Sequence, residues 1–426
     1  MTGFDTVSLA RCERYERTDI REALLKSLSL VDGLSSIKEG MKVGIKANLV
    51  SAADPEKAVI THPLLLDILC RMLTEKGAEV IIGDSPGGLF TPSFVKNVYR
   101  AGGYYELEKI PGVKLNDNFE ISDARFPEAL SLKSFSYTAW LRDVDVIIDF
   151  AKLKTHAMMG MSCAVKNMFG CIPGTTKTEY HMRFPEERAF ANVMVDLNEY
   201  FRPVLYIVDA IDGMEGNGPT AGEKRHIGVI LSSRKPYALD LVCAHLIGMG
   251  TGDVPTLLAA KERGLGPSDI SEVDIKGDIS LESARIKDFK RATIHQSITF
   301  EGGGWFNEVK SAAIKLAYNT KPQVKKDECI GCKKCFETCP AGAITMRPAK
   351  AQRAGAPQKA RAPQNHSALQ NHSLPQTSGA SQRRSFTPHI NRSRCIKCFC
   401  CQEFCPVGAM KVYYNPIGKL LNKLQR

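Results

Sequence analysis

Residues 144–156, Val-Asp-Val-Ile-Ile-Asp-Phe-Ala-Lys-Leu-Lys-Thr-His, decide how the first 280 residues are read. Residues 144–150 form a short apolar run rich in β-branched side chains, the pattern of a strand buried in a sheet. Polar Lys152, Lys154 and His156 follow it, and in open α/β sheets ligands bind beyond the carboxyl ends of strands. The same two-part pattern recurs on both sides. Residues 43–46 lead into Lys46-Ala-Asn48, residues 80–83 into Asp84-Ser-Pro-Gly-Gly88, and residues 204–209 into Asp209 and then Glu215-Gly-Asn217-Gly-Pro219; residues 227–231 add a fifth strand. Helical patterns fall between them at 63–76, 91–101, 186–200, 236–247 and 255–263, several opened by proline. The alternation predicts an α/β domain over residues 1–280 with a mostly parallel sheet flanked by helices. In Thr61-His62-Pro63, the Thr61 hydroxyl is expected to cap the helix that follows. Residues 281–325 are less periodic and read as a linker or wrapping segment.

The chain has 426 residues, enough for two or three domains. No apolar run approaches the roughly 18 residues that span a bilayer, so no membrane span is expected. The first 15 residues carry Asp5, Arg11, Glu13 and Arg14 where a secretory signal needs a continuous apolar stretch, which predicts a cytoplasmic protein. Net charge is +11, but the excess is local. Between Glu337 and Glu403 there is no acidic residue, while Arg347, Lys350, Arg353, Lys359, Arg361, Arg383, Arg384, Arg392, Arg394 and Lys397 are basic. No aromatic-interleaved basic motif accompanies them, so no nucleic-acid partner is expected. Residues 347–389, rich in Ala, Gln, Pro, Ser and Arg, are expected to be a disordered basic insertion, and residues 416–426 a tail.

Fourteen cysteines in such a chain point to metal or catalysis before disulfides. Eight form a repeat: Cys329-Ile-Gly-Cys332-Lys-Lys-Cys335-Phe-Glu-Thr-Cys339-Pro340 is matched by Cys395-Ile-Lys-Cys398-Phe-Cys-Cys401-Gln-Glu-Phe-Cys405-Pro406, each running on into Gly-Ala. One tight C-x2-C-x2-C loop can present three thiolates to a compact cluster; a zinc site would use paired knuckles without the third cysteine. The repeat resembles the two-cluster bacterial ferredoxins. That resemblance implies an α+β dicluster ferredoxin-like domain over 326–346 and 390–415, and two [4Fe-4S] clusters with crossed ligation. Cys329, Cys332, Cys335 and Cys405 would hold one, and Cys395, Cys398, Cys401 and Cys339 the other. Cys400 falls outside the pattern.

In the larger domain there is neither a Walker A pattern nor a G-x-G-x-x-G after a strand. Lys152-Leu-Lys-Thr-His156, Ala164-Val-Lys166-Asn167-Met-Phe-Gly-Cys171-Ile-Pro-Gly174, Tyr180-His181, Val195-Asp-Leu197 and Met214-Glu-Gly-Asn-Gly-Pro219 are together similar to the domain of unknown function 362 family over about residues 40–275. That family is often joined to a dicluster ferredoxin, and membership implies no particular reaction.

From residue chemistry, Lys46, Lys154 and Lys166 around one crevice would attract a carboxylate or phosphate, with Asn48, Asp84, Glu215 and Asn217 as further substrate-binding candidates. The alternative is that each lysine pairs with a nearby carboxylate such as Asp84 or Glu215. His156 and His181 are the expected proton donors; Lys166 and Asn167 could stabilise a developing oxyanion. Cys163 and Cys171 could border one helix face as a metal or redox site, or simply be buried.

The leading expectation is an iron–sulfur oxidoreductase relaying electrons to or from a small anionic substrate, with a redox partner protein as donor or acceptor. The alternatives are a non-catalytic electron-transfer protein docking to a larger redox enzyme, and a metallocofactor assembly protein. Protein purified without oxygen should contain about eight irons and eight sulfides per chain, four of each for every cubane; a content near four or below would sink the two-cluster reading.

Overall fold

All five apolar runs form strands, and three of them extend well past their apolar residues. The computed structural model describes residues 6–174, 176–184, 186–292, 321–339, 341–348, 386–396 and 400–413. Its strands are β1 (Thr6–Arg11), β2 (Lys42–Ala47), β3 (Glu79–Gly83), β4 (Val113–Leu115), β5 (Ile121–Arg125), β6 (Ser134–Thr138), β7 (Val146–His156), β8 (Gly160–Ser162), β9 (Leu205–Glu215), β10 (Glu223–Ser233), β11 (Asp274–Gly277), β12 (Lys321–Val324), β13 (Ile344–Pro348), β14 (Phe386–Ile390) and β15 (Met410–Tyr413). The principal helices are α1 (Arg17–Leu30), α2 (Pro63–Thr74), α3 (Pro92–Ala101), α4 (Ala164–Asn167), α5 (Thr176–Arg183), α6 (Glu187–Phe201), α7 (Pro236–Leu246) and α8 (Pro255–Glu262).

One sheet runs in the order β11-β1-β10-β9-β7-β2-β3-β4, with β8 folded back on the end of β7. The strands from β9 through β7, β2 and β3 to β4 are parallel. On the other side β10 runs antiparallel to both β9 and β1, so the sheet is mostly parallel but mixed. Adjacent residues of one strand feed different cores, as a sheet covered on both faces requires. Ile148 and Ile207 pack with Leu65, Leu69 and Leu73 of α2; Val208 packs with Leu239 and Val242 of α7; Ile147 packs with Val193 and Leu197 of α6. The sequence reading missed β1 and α1. Their contact is partly polar: Ser8, Ser27 and Ser232 bond to one another at 2.7–2.8 Å inside it, and those serines interrupt the apolar pattern.

The cap of α2 differs from expectation. His62 is the capping residue, its Nδ1 accepting from the Leu64 amide at 3.3 Å. Thr61 is fully buried and its hydroxyl is used in the sheet, accepting from the Asn48 amide and donating to the Phe150 carbonyl.

β7 continues through Lys152 and Lys154 because each ammonium has a partner in the interior. Lys152 Nζ donates to Tyr15 Oη (2.7 Å) and Asp209 Oδ2 (2.9 Å), with both charged side chains fully buried. Tyr15 donates to Asp209 Oδ1, and the His62 amide donates to Oδ2. Burial beside this carboxylate pushes the Tyr15 phenol well above its ordinary range. Asp209 therefore ties together β9, β7, the segment before α1 and the start of α2.

Beyond β11 the chain wraps the sheet edge, where Gly216 donates to the Lys290 carbonyl and the Lys290 amide to Glu215 Oε2. The C-terminal unit begins at β12, ahead of residue 326, because β12 pairs with β15; β13 pairs with β14. Residues 347–348 and 386–389 belong to that second pair instead of to the basic insertion. The rest of the proposed insertion, 349–385, and the tail 416–426 lie outside the described residues.

Asp209→Ala leaves the Lys152 ammonium buried without its countercharge and should lower unfolding stability by about 3–5 kcal/mol. Urea unfolding followed by circular dichroism measures this; a loss below about 1 kcal/mol would show that the pair does not organise the sheet.

Candidate functional site

β2, β3 and β7 deliver Lys46, Asn48, Asp84 and Lys154 to one end of the sheet, and α4 brings Lys166 and Asn167 above them. Lys46 lies beneath the resulting crevice. Its ammonium contacts Asp84 Oδ1 (2.9 Å), the Ala47 carbonyl (2.8 Å) and Asn167 Oδ1 (3.2 Å), which fills all three donor positions. Gly170 closes over the ion pair, since a Cβ there would overlap Asp84 and Lys46 Nζ. The expected substrate-binding role of Lys46 is corrected accordingly: this lysine neutralises Asp84, as the pairing alternative anticipated.

Asn167 is also committed. Its amide donates to the Lys46 carbonyl and to Asp149, and its oxygen accepts from Lys46 and from Asn48 Nδ2 (3.0 Å). Both N–H groups are thus engaged, so stabilising an oxyanion would require breaking one of these bonds. Asn167 orients its neighbours. Burial pushes Asp149 beneath it well above the carboxylate range.

Lys154 occupies a different environment. Its ammonium donates to Asn48 Oδ1 and the Val59 carbonyl, both at 2.7 Å, and among the described residues it pairs with no carboxylate. Burial, reinforced by Lys166 and Lys152, pushes its amine well below the ordinary lysine range. Lys154 lines the crevice together with Asn48, Asp84, Asn167 and half-buried Lys166. The Lys166 ammonium stands 5.8 Å from the centre of the Phe169 ring.

The two histidines separate. His181 lines the crevice and stacks on Phe190 with ring centres 4.3 Å apart. His156 does not line it; its Nδ1 accepts from the Met158 and Met159 amides and holds the β7–β8 turn. That nitrogen cannot carry a proton while it accepts, so His156, expected as a proton donor, holds the turn through Nδ1. Glu215 and Asn217 also fall away. Glu215 turns to Lys290 and Arg225, Asn217 is exposed, and Pro219 is the residue of their motif that reaches the crevice. Cys163 and Cys171 face separate cores, and burial raises both thiols above their ordinary range, so they do not form a paired metal site.

Sequence reasoning missed Lys177. It is nine-tenths buried, lines the crevice, and donates to the Ser85 carbonyl (2.7 Å) and hydroxyl (3.0 Å). Burial lowers its amine to about 7. The available signal was its spacing of four residues before His181, which puts both side chains on one face of α5.

In the C-terminal unit the two halves of the cysteine repeat adopt matching backbones. Lys325 donates to the Ala409 carbonyl and Asn391 to the Ala343 carbonyl, while the Ala343 and Ala409 amides each donate at 3.2 Å to Cys339 and Cys405 sulfur. Cys329, Cys332, Cys335 and Cys405 line one cavity. Burial and the other three cysteines raise the Cys335 thiol to about 12. Four cysteines lining one cavity, with backbone amides directed at Cys339 and Cys405 sulfur, are the residues expected around an iron–sulfur core. Of the other four, Cys339, Cys395 and Cys401 are described, and Cys398 lies outside the described residues.

The two units meet at the crevice. Phe404, immediately before Cys405, forms part of its wall, and its ring rests on Gly87, where a Cβ would overlap it. Gly408 approaches Ala221 nearby.

The family described as domain of unknown function (DUF362) matches residues 43–245, and a 4Fe-4S dicluster domain matches residues 328–409. A thylakoid-associated protein of Synechocystis sp. is 31% identical over 268 residues, which are 62% of this chain and 81% of that protein. An uncharacterized polyferredoxin-like protein of Methanocaldococcus jannaschii is 24% identical over 144 residues, 32% of this chain and 71% of that protein. Among solved structures, the lactate racemase apoprotein from Thermoanaerobacterium thermosaccharolyticum aligns with a TM-score of 0.32 at 15% identity, covering 48% of this chain and 50% of that one, too weak a likeness to carry a reading. Iron–sulfur electron transfer is thus within the capacity of this chain. Among the described residues, no helix is long and apolar enough to cross a membrane.

Gly87→Ala should force the Phe404 ring off its seat at a cost of about 1–3 kcal/mol. Hydrogen exchange over residues 400–413 should then accelerate by roughly tenfold while β2 and β3 exchange as before. Unchanged exchange over 400–413 would show that the ring does not depend on this contact.

Proposed function

This chain belongs to the family of the domain of unknown function (DUF362) and carries a 4Fe-4S dicluster domain, and from that premise we propose that it is an oxidoreductase acting on a small anionic molecule held in the crevice of the α/β domain. The observation that carries the proposal is the position of Phe404: the residue bonded to Cys405 is also a wall of the space lined by Lys154, Lys166 and Lys177. Cys329, Cys332, Cys335 and Cys405 would hold one [4Fe-4S] cluster, and Cys395, Cys398, Cys401 and Cys339 the other. Reduction of a carbonyl or activated double bond consumes two electrons and two protons; clusters held by these cysteines would supply the electrons singly, drawn from a one-electron donor protein, and the crevice would supply the protons.

The rest follows from the protein's own residues. Lys154 and Lys166 attract and orient the anion, while Asp84 does not repel it because Lys46 neutralises that carboxylate. Phe169, Phe404 and Pro219 exclude water from the apolar part of the molecule. The free volume is about 80 Å³, room for several waters or a small acid of similar size. Cys12, Cys70 and Cys243 are buried free thiols, consistent with a reducing cytoplasm.

One observation favours a second reading, the non-catalytic electron carrier. Ile330 and Phe336 are about half exposed beside exposed Cys332, an apolar edge on which a partner protein could dock. EPR of the dithionite-reduced protein separates the two. The enzyme reading expects acetate, oxalate or phosphate to perturb the signal, and expects Lys166→Ala to weaken that response by about tenfold with iron content intact. Spectra indifferent to all three anions would leave the carrier.

A further inference from the structure

We infer that Lys177 takes up a proton when an anion enters the crevice and is the group that exchanges this proton with the bound molecule. The inference rests on the anionic-crevice reading and adds to it a residue that no sequence motif marked. Three features of the geometry carry it.

The first is position. Lys177 lies on α5 one turn before His181, and both side chains reach the crevice into which Lys154 and Lys166 also project. The second is the way the amine is held. Its contacts are neutral acceptors, the carbonyl and hydroxyl of Ser85 and, at 3.5 Å, the Pro86 carbonyl, and the Ser85 hydroxyl is itself fixed by accepting from the Gly174 amide at 2.7 Å. Among the described residues, no carboxylate pairs with it. The third is the charge around it: Asp84 and the Cys171 thiol favour the ammonium, while Lys46 and Lys166 oppose it, and the Asp84 charge is already paired with Lys46.

Burial without a countercharge is the largest influence, and it brings the amine to about 7. Above that pH the unliganded crevice holds Lys177 mainly as a neutral amine. An entering carboxylate supplies the missing countercharge and raises its proton affinity, so binding draws one proton from solvent: amine, proton and anion become an ammonium–anion pair. That ammonium can then give its proton to an atom gaining electron density, and the amine can accept one in the reverse direction. Lys46 behaves differently because its carboxylate partner is built in.

Calorimetry on the full-length, cluster-loaded protein tests this. Oxalate, acetate and phosphate are titrated separately at about pH 8 in two buffers of different ionisation enthalpy, which counts the protons taken up. Wild-type protein should take up between about half and one proton per anion bound. Lys177→Arg keeps the charge and should bind with uptake near zero; Lys177→Met should bind more weakly, also with uptake near zero. Uptake undiminished in both variants would overturn the role of Lys177 and transfer it to Lys154 or His181, leaving the anionic crevice intact. Binding with no uptake in wild type overturns it too. If none of the three anions binds, the crevice reading fails and this inference fails with it. Should Lys177→Met not fold, Lys177→Arg alone decides the matter.

Discussion

Lysine ammonium groups inside a sheet are the constraint on which the rest of the α/β domain depends. β2 and β7 place Lys46, Lys152 and Lys154 at interior positions, where an uncompensated charge would be expensive. The chain meets each requirement separately. Lys46 has Asp84 and Asn167, Lys152 has Asp209 and Tyr15, and Lys154 has only neutral oxygens. Two of these arrangements are closed structural units. The third leaves an amine that still favours an anion, and the crevice opens at that amine.

The iron–sulfur unit bears on the same point. In a minimal dicluster unit the two cysteine loops would need only each other, and here their backbones do match closely. Yet Phe404, between Cys401 and Cys405, is seated on Gly87 in the loop after β3. Under crossed ligation those two cysteines belong to different clusters, so Phe404 sits where the two sets of ligands meet. Pro348 and Phe386, which flank residues 349–385, are paired with each other. Loop-closure cost grows only with the logarithm of length, so a loop pinned at its base can be long at little expense.

Much of this was legible in the sequence. The five apolar runs and their helices were found to within a few residues where apolar pattern alone decides the element. Two runs ended too early, before Lys152 and at Asp209, and a third began too late, after Glu223, because a charged residue reads as the limit of a buried strand unless its partner is known. Those partners are distant in sequence: 57 residues separate Lys152 from Asp209. The same limit explains the site. Asn48, Asp84 and Lys154 lie at the carboxyl ends of strands, where ligands are expected in open α/β sheets, and they line one crevice with Asn167 of α4. Lys46 and His156 were over-read because residue type reveals that a group can ionise or donate, but not which neighbour has already engaged it. Phe404 carried no local signal at all, since its significance lies in a contact between domains.

That distinction also orders the remaining candidates by chemistry. A lysine whose charge is already compensated by a built-in carboxylate, or an amide whose donors and acceptor are all engaged, can position others but has little to offer a ligand, as with Lys46 and Asn167. A group buried against neutral acceptors alone keeps a charge state that its surroundings can still change. Among the described residues, the crevice lysines Lys154 and Lys177 meet that condition, one held by Asn48 and Val59 and the other by Ser85 and Pro86. A negative charge arriving between them completes an electrostatic arrangement that the fold has left open, much as Asp84 completes it permanently for Lys46. On the proposed function, anion recognition and proton supply would then arise from the same buried amines, in a crevice whose wall includes Phe404 of the ferredoxin-type unit.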